Sequence, residues 1–186
     1  YNGNPVELRN PAAAKKLGIQ IVYQEVDMAL IPTLTVAENV MFNDLVMNMG
    51  HKQFVNYRKI RKDAKEALAR LNVNIDVRRM CGTLTLAQKQ MVLIARAVQS
   101  ACNFLILDEP TAPLSDTETE ELFRVVRHLR KTENLAVIFI THRIHEVLQI
   151  CDSYTVMRNG EIVDTTPITP KTTSKAVSYT HLTLPT

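Results

Sequence analysis

The sequence predicts an α/β fold with a helical insertion between residues 26 and 98. Three observations carry that expectation. Phe104-Leu-Ile-Leu107 and Ala136-Val-Ile-Phe-Ile140 are unbroken apolar runs of strand length, which suits strands buried on both faces. Between them, Ser115-Asp-Thr-Glu118 has the pattern of a capping box that opens a helix. Strand, helix and strand within about 40 residues make a parallel βαβ unit, almost always right-handed.

The elements follow in order. Gly18-Ile-Gln-Ile-Val-Tyr23 has the apolar content of a short buried strand ending at Gln24. Thr35-Val-Ala-Glu38 is a capping box for a helix with Ala37, Val40, Met41 and Leu45 on one side. Between Lys59 and Leu71, the apolar residues Ile60, Ala64, Ala67, Leu68 and Leu71 recur at helical spacing, and the intervening Lys and Arg form a solvated face. Thr85-Leu-Ala-Gln88 is a further capping box, opening the apolar helix Met91–Val98. The helix after Ser115 carries Leu122, Val125, Val126 and Leu129 on its buried stripe. It starts acidic (Asp116, Glu118, Glu120, Glu121) and ends basic (Arg127, Arg130, Lys131), as the helix dipole favours. Finally Asn159-Gly160 between Tyr154–Met157 and Glu161–Val163 marks a hairpin.

Composition narrows the class. With 186 residues and 46% hydrophobic content the chain can bury a core, and it is neither disordered nor of low complexity. No apolar run approaches the roughly 20 residues of a membrane-spanning helix. The 22 Lys+Arg and 19 Asp+Glu leave +3, scattered and without an aromatic-laced basic block, so nucleic acid is not an expected partner. Cys81, Cys102 and Cys151 have no metal-ligand or disulfide spacing and are expected as free thiols.

The topology places chemistry at one edge. Parallel strands end on the same side of a sheet, and ligands of open α/β sheets bind there. Asp108-Glu109 and Thr141-His142 each follow a strand directly, so the two carboxylates and the imidazole are expected to face one another.

Five segments, in this order and spacing, resemble the nucleotide-binding domain of ABC transporters. Gln24 in Ile-Val-Tyr-Gln-Glu resembles the Q-loop, and Leu84-Thr-Leu-Ala-Gln88 the signature motif usually written LSGGQ. Asn103-Phe-Leu-Ile-Leu-Asp-Glu-Pro-Thr111 is similar to the Walker B strand with its glutamate. Ala112-Pro113-Leu114-Ser115 is similar to the D-loop, and Thr141-His142 to the H-loop. The stretches 24–39 and 86–95 further resemble the first ATPase half of the tandem ATPases in monosaccharide importers of the ribose, galactose and xylose type. Ala87 fits that group's variant signature.

The resemblance implies a P-loop NTPase-like ABC ATPase domain with a helical subdomain at about 26–98. It also implies roles. Asp108 would hold Mg²⁺, and Glu109 would act as general base on the attacking water. His142 would contact the γ-phosphate. Gln24 would sense the metal and the water. Thr85, Leu86, Ala87 and Gln88 would bind the γ-phosphate held by another ATPase half, at a helix N-terminus suited to an anion. Cys81 and His145 match no family role and are expected to be structural. Implied partners are a second ATPase half, transmembrane permease subunits and a periplasmic or extracellular sugar-binding protein, at the cytoplasmic face of the plasma membrane.

Several features depart from the pattern. None of the glycines, Gly3, Gly18, Gly50, Gly82 and Gly160, is followed by Lys, so no GxxxxGK[ST] phosphate loop occurs. In the family it lies upstream of the Q-loop, so the expectation is a partial domain over 1–165, truncated before that point and inactive by itself. A linker is expected over 166–176. Residues 177–186 resemble the translation of a transposon-end sequencing adapter and are set aside. Thr85 replaces the usual Ser, Leu86 the first Gly, and Ser115 an Asp. Two alternatives share these motifs: a non-transport ABC-type ATPase and a degenerate, non-hydrolysing interaction module. The importer-like stretch 24–39 speaks against the first, and Glu109 with His142 against the second.

Overall fold

The computed structural model describes residues 1, 3–48, 55–100 and 102–173. Gly50 and the segment 177–186, singled out above, lie outside the described residues, as does the end of the expected linker. The chain falls into two compact units, one ending at Ile138 and one beginning at Phe139.

In the first unit, α1 (Pro11–Lys16) is started by the Asn10 side chain and by a proline in the first turn, where no amide is needed. It leads into β1 (Ile19–Val22). A run of helices follows: α2 (Val26–Ala29), α3 (Val36–Val40), α4 (Phe42–Asn48), α5 (Tyr57–Arg70) and α6 (Leu86–Gln99). A short 3₁₀ turn at Cys81–Thr83 precedes α6. Then come β2 (Phe104–Asp108), α7 (Asp116–Glu133) and β3 (Ala136–Ile140), whose first three residues close this unit.

The capping boxes at Thr35, Thr85 and Ser115 all form, each hydroxyl accepting from the third helical amide. The helix expected from Thr35 through Leu45 is broken: α3 stops at Val40, and α4 starts again at Phe42. Ala37, Val40 and Met41 are buried across that break. In α5 the buried positions are those of the periodicity, Ile60, Ala64, Ala67 and Leu68. The helices α1 and α2 were not expected, each being too short for an apolar period.

The sheet has the order β1-β2-β3, and β1 pairs with β2 in parallel, Ile19 beside Phe104 and Val22 beside Leu107. Burial on both faces is not what the strands show. Leu105 and Leu107 are sealed, but Phe104 and Ile106 are half-buried, and Ile138 and Ile140 are exposed. The physical reason lies in the layers: α6 packs against β1 from one side, where Gln20 and Val22 are also buried. Ile21, on the opposite face, stays exposed.

The second unit holds α8 (Ile144–Ile150) and the hairpin β4 (Ser153–Arg158) with β5 (Glu161–Pro167). Asn159 and Gly160 take φ of 51° and 83°, the two left-handed positions of a type I′ turn. The strand β5 runs past Val163 into the stretch expected to be linker, because Tyr154 and Ser153 continue the ladder to Thr166 and Pro167.

Candidate functional site

The parallel register sets the first cluster. One step beyond the paired Val22 and Leu107 stand Tyr23 and Asp108, then Gln24 and Glu109. Gln24 and Asp108 line one cleft of about 540 Å³ together with Tyr23, Glu25, Met28 and Ala29. The walls are mostly apolar, with the Gln24 amide and the Asp108 and Glu25 carboxylates as the polar groups. Tyr23 and Met28 are exposed there.

Glu109 follows β2 with φ of 43°, a left-handed backbone. Glycine adopts it freely, and asparagine does so at Asn72, Asn134 and Asn159, whereas a glutamate is held there at a cost of about 1–3 kcal/mol. The turn is closed by the Ala112 amide donating to the Glu109 carbonyl at 3.2 Å. Beyond it, Ala112 and Pro113 lead to buried Leu114 and to Ser115, whose hydroxyl is engaged as the cap of α7. The Ser115 amide and hydroxyl both donate to Glu118, which holds that carboxyl below its ordinary pKa.

The signature-like residues sit elsewhere. Thr85 caps α6, its hydroxyl accepting from the Gln88 amide at 3.2 Å while Gln88 Oε1 accepts from the Thr85 amide at 3.3 Å. Leu86 is exposed and Ala87 is buried. Thr85, Ala87 and Gln88 line a second hollow, of about 200 Å³, whose walls include Glu118 and Glu121 from α7. It shares no lining residue with the Gln24–Asp108 cleft.

In the second unit, Thr141, His142 and Arg143 precede α8. The Thr141 hydroxyl donates to Glu146 Oε2 at 2.9 Å and accepts the Arg143 amide at 3.0 Å. The Arg143 guanidinium reaches Glu146 Oε1 at 3.3 Å, and Glu146 itself is fully buried. The exposed His142 therefore sits on a turn anchored from both sides by one carboxylate. Glu146 was missed in the sequence because an acidic residue in a helical first turn reads as a solvated one.

Other candidates are quiet. Cys81, Cys102 and Cys151 are free, and burial pushes the Cys102 and Cys151 thiols up to about 11, which keeps them protonated and unreactive. His145 is exposed. Among the described residues, no three His, Cys, Asp or Glu side chains gather as a metal site, and no helix is long and apolar enough to cross a membrane.

Comparison with known proteins bears on the family and the fold. The family model described as "ABC transporter" matches residues 1–112. The ribose import ATP-binding protein RbsA 2 of Rhizobium etli is 42% identical over 164 residues, covering 88% of this chain and 31% of that protein. RbsA 3 of Rubrobacter xylanophilus, also a ribose import ATP-binding protein, is 41% identical, covering 90% of this chain and 32% of its own. The chain thus spans about a third of the length of these relatives. Among solved structures, cbiO1 of Clostridium perfringens, part of an ABC transporter complex, matches with a TM-score of 0.70 at 28% identity, over 85% of this chain and 61% of that one. An ATP-binding cassette in its ADP conformation matches in fold with the same TM-score of 0.70 at 24% identity, over 86% and 64%. Motifs, fold and relatives converge: the chain belongs to the ABC transporter family and has the α/β fold of its ATPase domain.

Proposed function

We propose that this chain is part of an ATP-hydrolysing subunit that powers import of a monosaccharide. The observation that carries the reading is the cleft at the ends of β1 and β2, where Gln24 and Asp108 converge beside a strained Glu109. Backbone strain at the end of a central strand persists where the surroundings enforce it, and it supports a fixed job for that carboxylate.

The donor set fits Mg²⁺. This ion keeps several waters and takes one or two carboxylates plus substrate phosphates. A cleft lined by two carboxylates, Asp108 and Glu25, and one amide, Gln24, is compatible with that demand. When bound, Mg²⁺ would supply charge neutralisation for the phosphates of ATP. Asp108 would hold the ion, directly or through a water, and Gln24 would sense the metal and the water. Glu109 accepts the proton of the attacking water, a contribution typically of 10²–10⁴-fold. His142 stands on its Glu146-anchored turn in the second unit, and its assignment to the γ-phosphate rests on the motif resemblance. The phosphate-cradling lysine motif is not in this sequence and is assigned to a preceding segment of the full-length protein.

Thr85 and Gln88 cap α6 in a hollow separate from the cleft. That separation supports their assignment to a γ-phosphate held by a second ATPase half, completing a composite site in trans. The relatives named as ribose import proteins support a pentose or hexose cargo, and with it permease subunits and an external sugar-binding protein. The domain would then lie peripherally on the cytoplasmic face of the membrane.

Reconstituting the full-length protein with its permease and binding protein tests the assignment. ATP turnover stimulated by ribose, galactose or xylose, and not by amino acids, is the expected result. Stimulation only by a solute of another class would remove the sugar assignment.

A further inference from the structure

The two candidate sites of the first unit are joined by one side chain. Arg96, in the third turn of α6, is half-buried and has no carboxylate partner among the described residues. Its charge rests on the open carbonyl ends of two other helices. Nη1 donates to the carbonyl of Ala29, the last residue of α2, at 2.8 Å. Nε donates to the carbonyl of Asn39, in the last turn of α3, at 2.7 Å, and Nη2 to Asn39 Oδ1 at 3.0 Å. The guanidinium also lies 5.5 Å from the Phe42 ring centroid. Burial lowers its pKa from the ordinary arginine value.

The acceptors are themselves fixed. Asn39 is fully buried; its Oδ1 accepts the Ile31 amide at 2.9 Å, and its Nδ2 donates to the carbonyls of Ile31, Leu34 and Thr35. At the other end of α2, Lys89 Nζ meets Asp27 Oδ1 at 2.6 Å. The α2 helix, which starts two residues after Gln24, is therefore gripped at both ends by the helix that Thr85 caps. A planar fork that satisfies two helix ends at once cannot be reproduced by an ammonium, which offers a point charge.

We propose that Arg96 is a positioning residue that locks α2, and through it Gln24, to α6. Displacement at the Gln24 cleft then moves the Thr85–Gln88 end of α6 with it. The proposal rests on the functional reading above and adds to it the side chain that ties the helix after Gln24 to the helix that Thr85 caps.

Steady-state ATPase kinetics of the full-length protein test this with Arg96→Lys, Gln24→Ala and the double variant. Arg96→Lys is expected to lower kcat about tenfold while KM for ATP changes less than about twofold. In the Gln24→Ala background the same substitution should cost less than about twofold, because its effect runs through Gln24. A residue serving stability alone leaves kcat per folded molecule unchanged; that result, or a full additive loss in the double variant, would overturn the proposal. If Arg96→Lys fails to fold, Asp27→Asn asks the same question at the other end of α2, on a side chain 67% exposed. Non-additivity with Gln24→Ala supports the link there, and additivity rejects it. A wild type that hydrolyses no ATP would instead refute the functional reading, and the link with it.

Discussion

Glu109 and Gln90 show two ways in which a single residue can cost stability. At Glu109 the cost is a left-handed backbone imposed where the chain leaves β2. At Gln90 it is desolvation: the side chain is 1% exposed on α6, and neither amide atom has a hydrogen-bond partner among the described residues. A buried, unpaired amide costs on the order of 1–3 kcal/mol, whereas an apolar group of the same shape does not. Gln90→Met is therefore expected to raise the urea midpoint of unfolding, by about 1–2 kcal/mol in stability. A lowered midpoint would mean that the amide holds a partner that stabilises the fold. Neither cost was legible in the sequence. Asp108-Glu109 announced their chemistry through position after an apolar run, but a backbone angle and an orphaned amide belong to packing.

At the scale of elements, the pattern-borne parts were the legible ones. The capping boxes at Thr35, Thr85 and Ser115, the stripe of α5 and the Asn159-Gly160 turn all rest on short-range chemistry that the sequence carries in full. The short α1 and α2 were invisible, and the break at Met41 was too, because the tertiary contacts of Asn39 and Arg96 decide where α3 ends. Long-range ties between helix ends are equally hidden. Arg70 on α5 grips Glu133 at the end of α7 with two hydrogen bonds, of 3.0 and 2.9 Å, and also donates to the Val98 carbonyl at 3.0 Å. The Arg70 fork holds the Glu133 carboxyl below its ordinary pKa. A carboxyl depressed in the folded state stabilises fully above its unfolded pKa, about 4.3, and loses that contribution as pH falls through the folded value. Wild type should therefore exceed Glu133→Gln in stability at about pH 6, and the gap should close toward about pH 3. A gap that stays constant across that range, followed by chemical denaturation, would show that the pair adds nothing.

For the molecule as a whole, the sheet edge and the helical layer divide the labour. The parallel pairing of β1 and β2 brings Gln24 and Asp108 to one cleft, and the capped start of α6 presents Thr85 and Gln88 at another hollow. The order of the motifs made both legible from the sequence, since each follows a strand or opens a helix. The cross-ties through Arg96 and Glu146 were not, because no local pattern marks a buried charge whose partners lie on other turns or other helices. The central claim is that Glu109 is the base for hydrolysis at this cleft. Its most direct test is single-turnover hydrolysis by the full-length protein carrying Glu109→Gln, with the companion site inactivated and ATP binding measured in parallel. The account predicts ATP affinity within about twofold of wild type and hydrolysis slowed by about 10²-fold or more. Near-normal hydrolysis with intact binding would contradict it, and the base would have to be sought elsewhere.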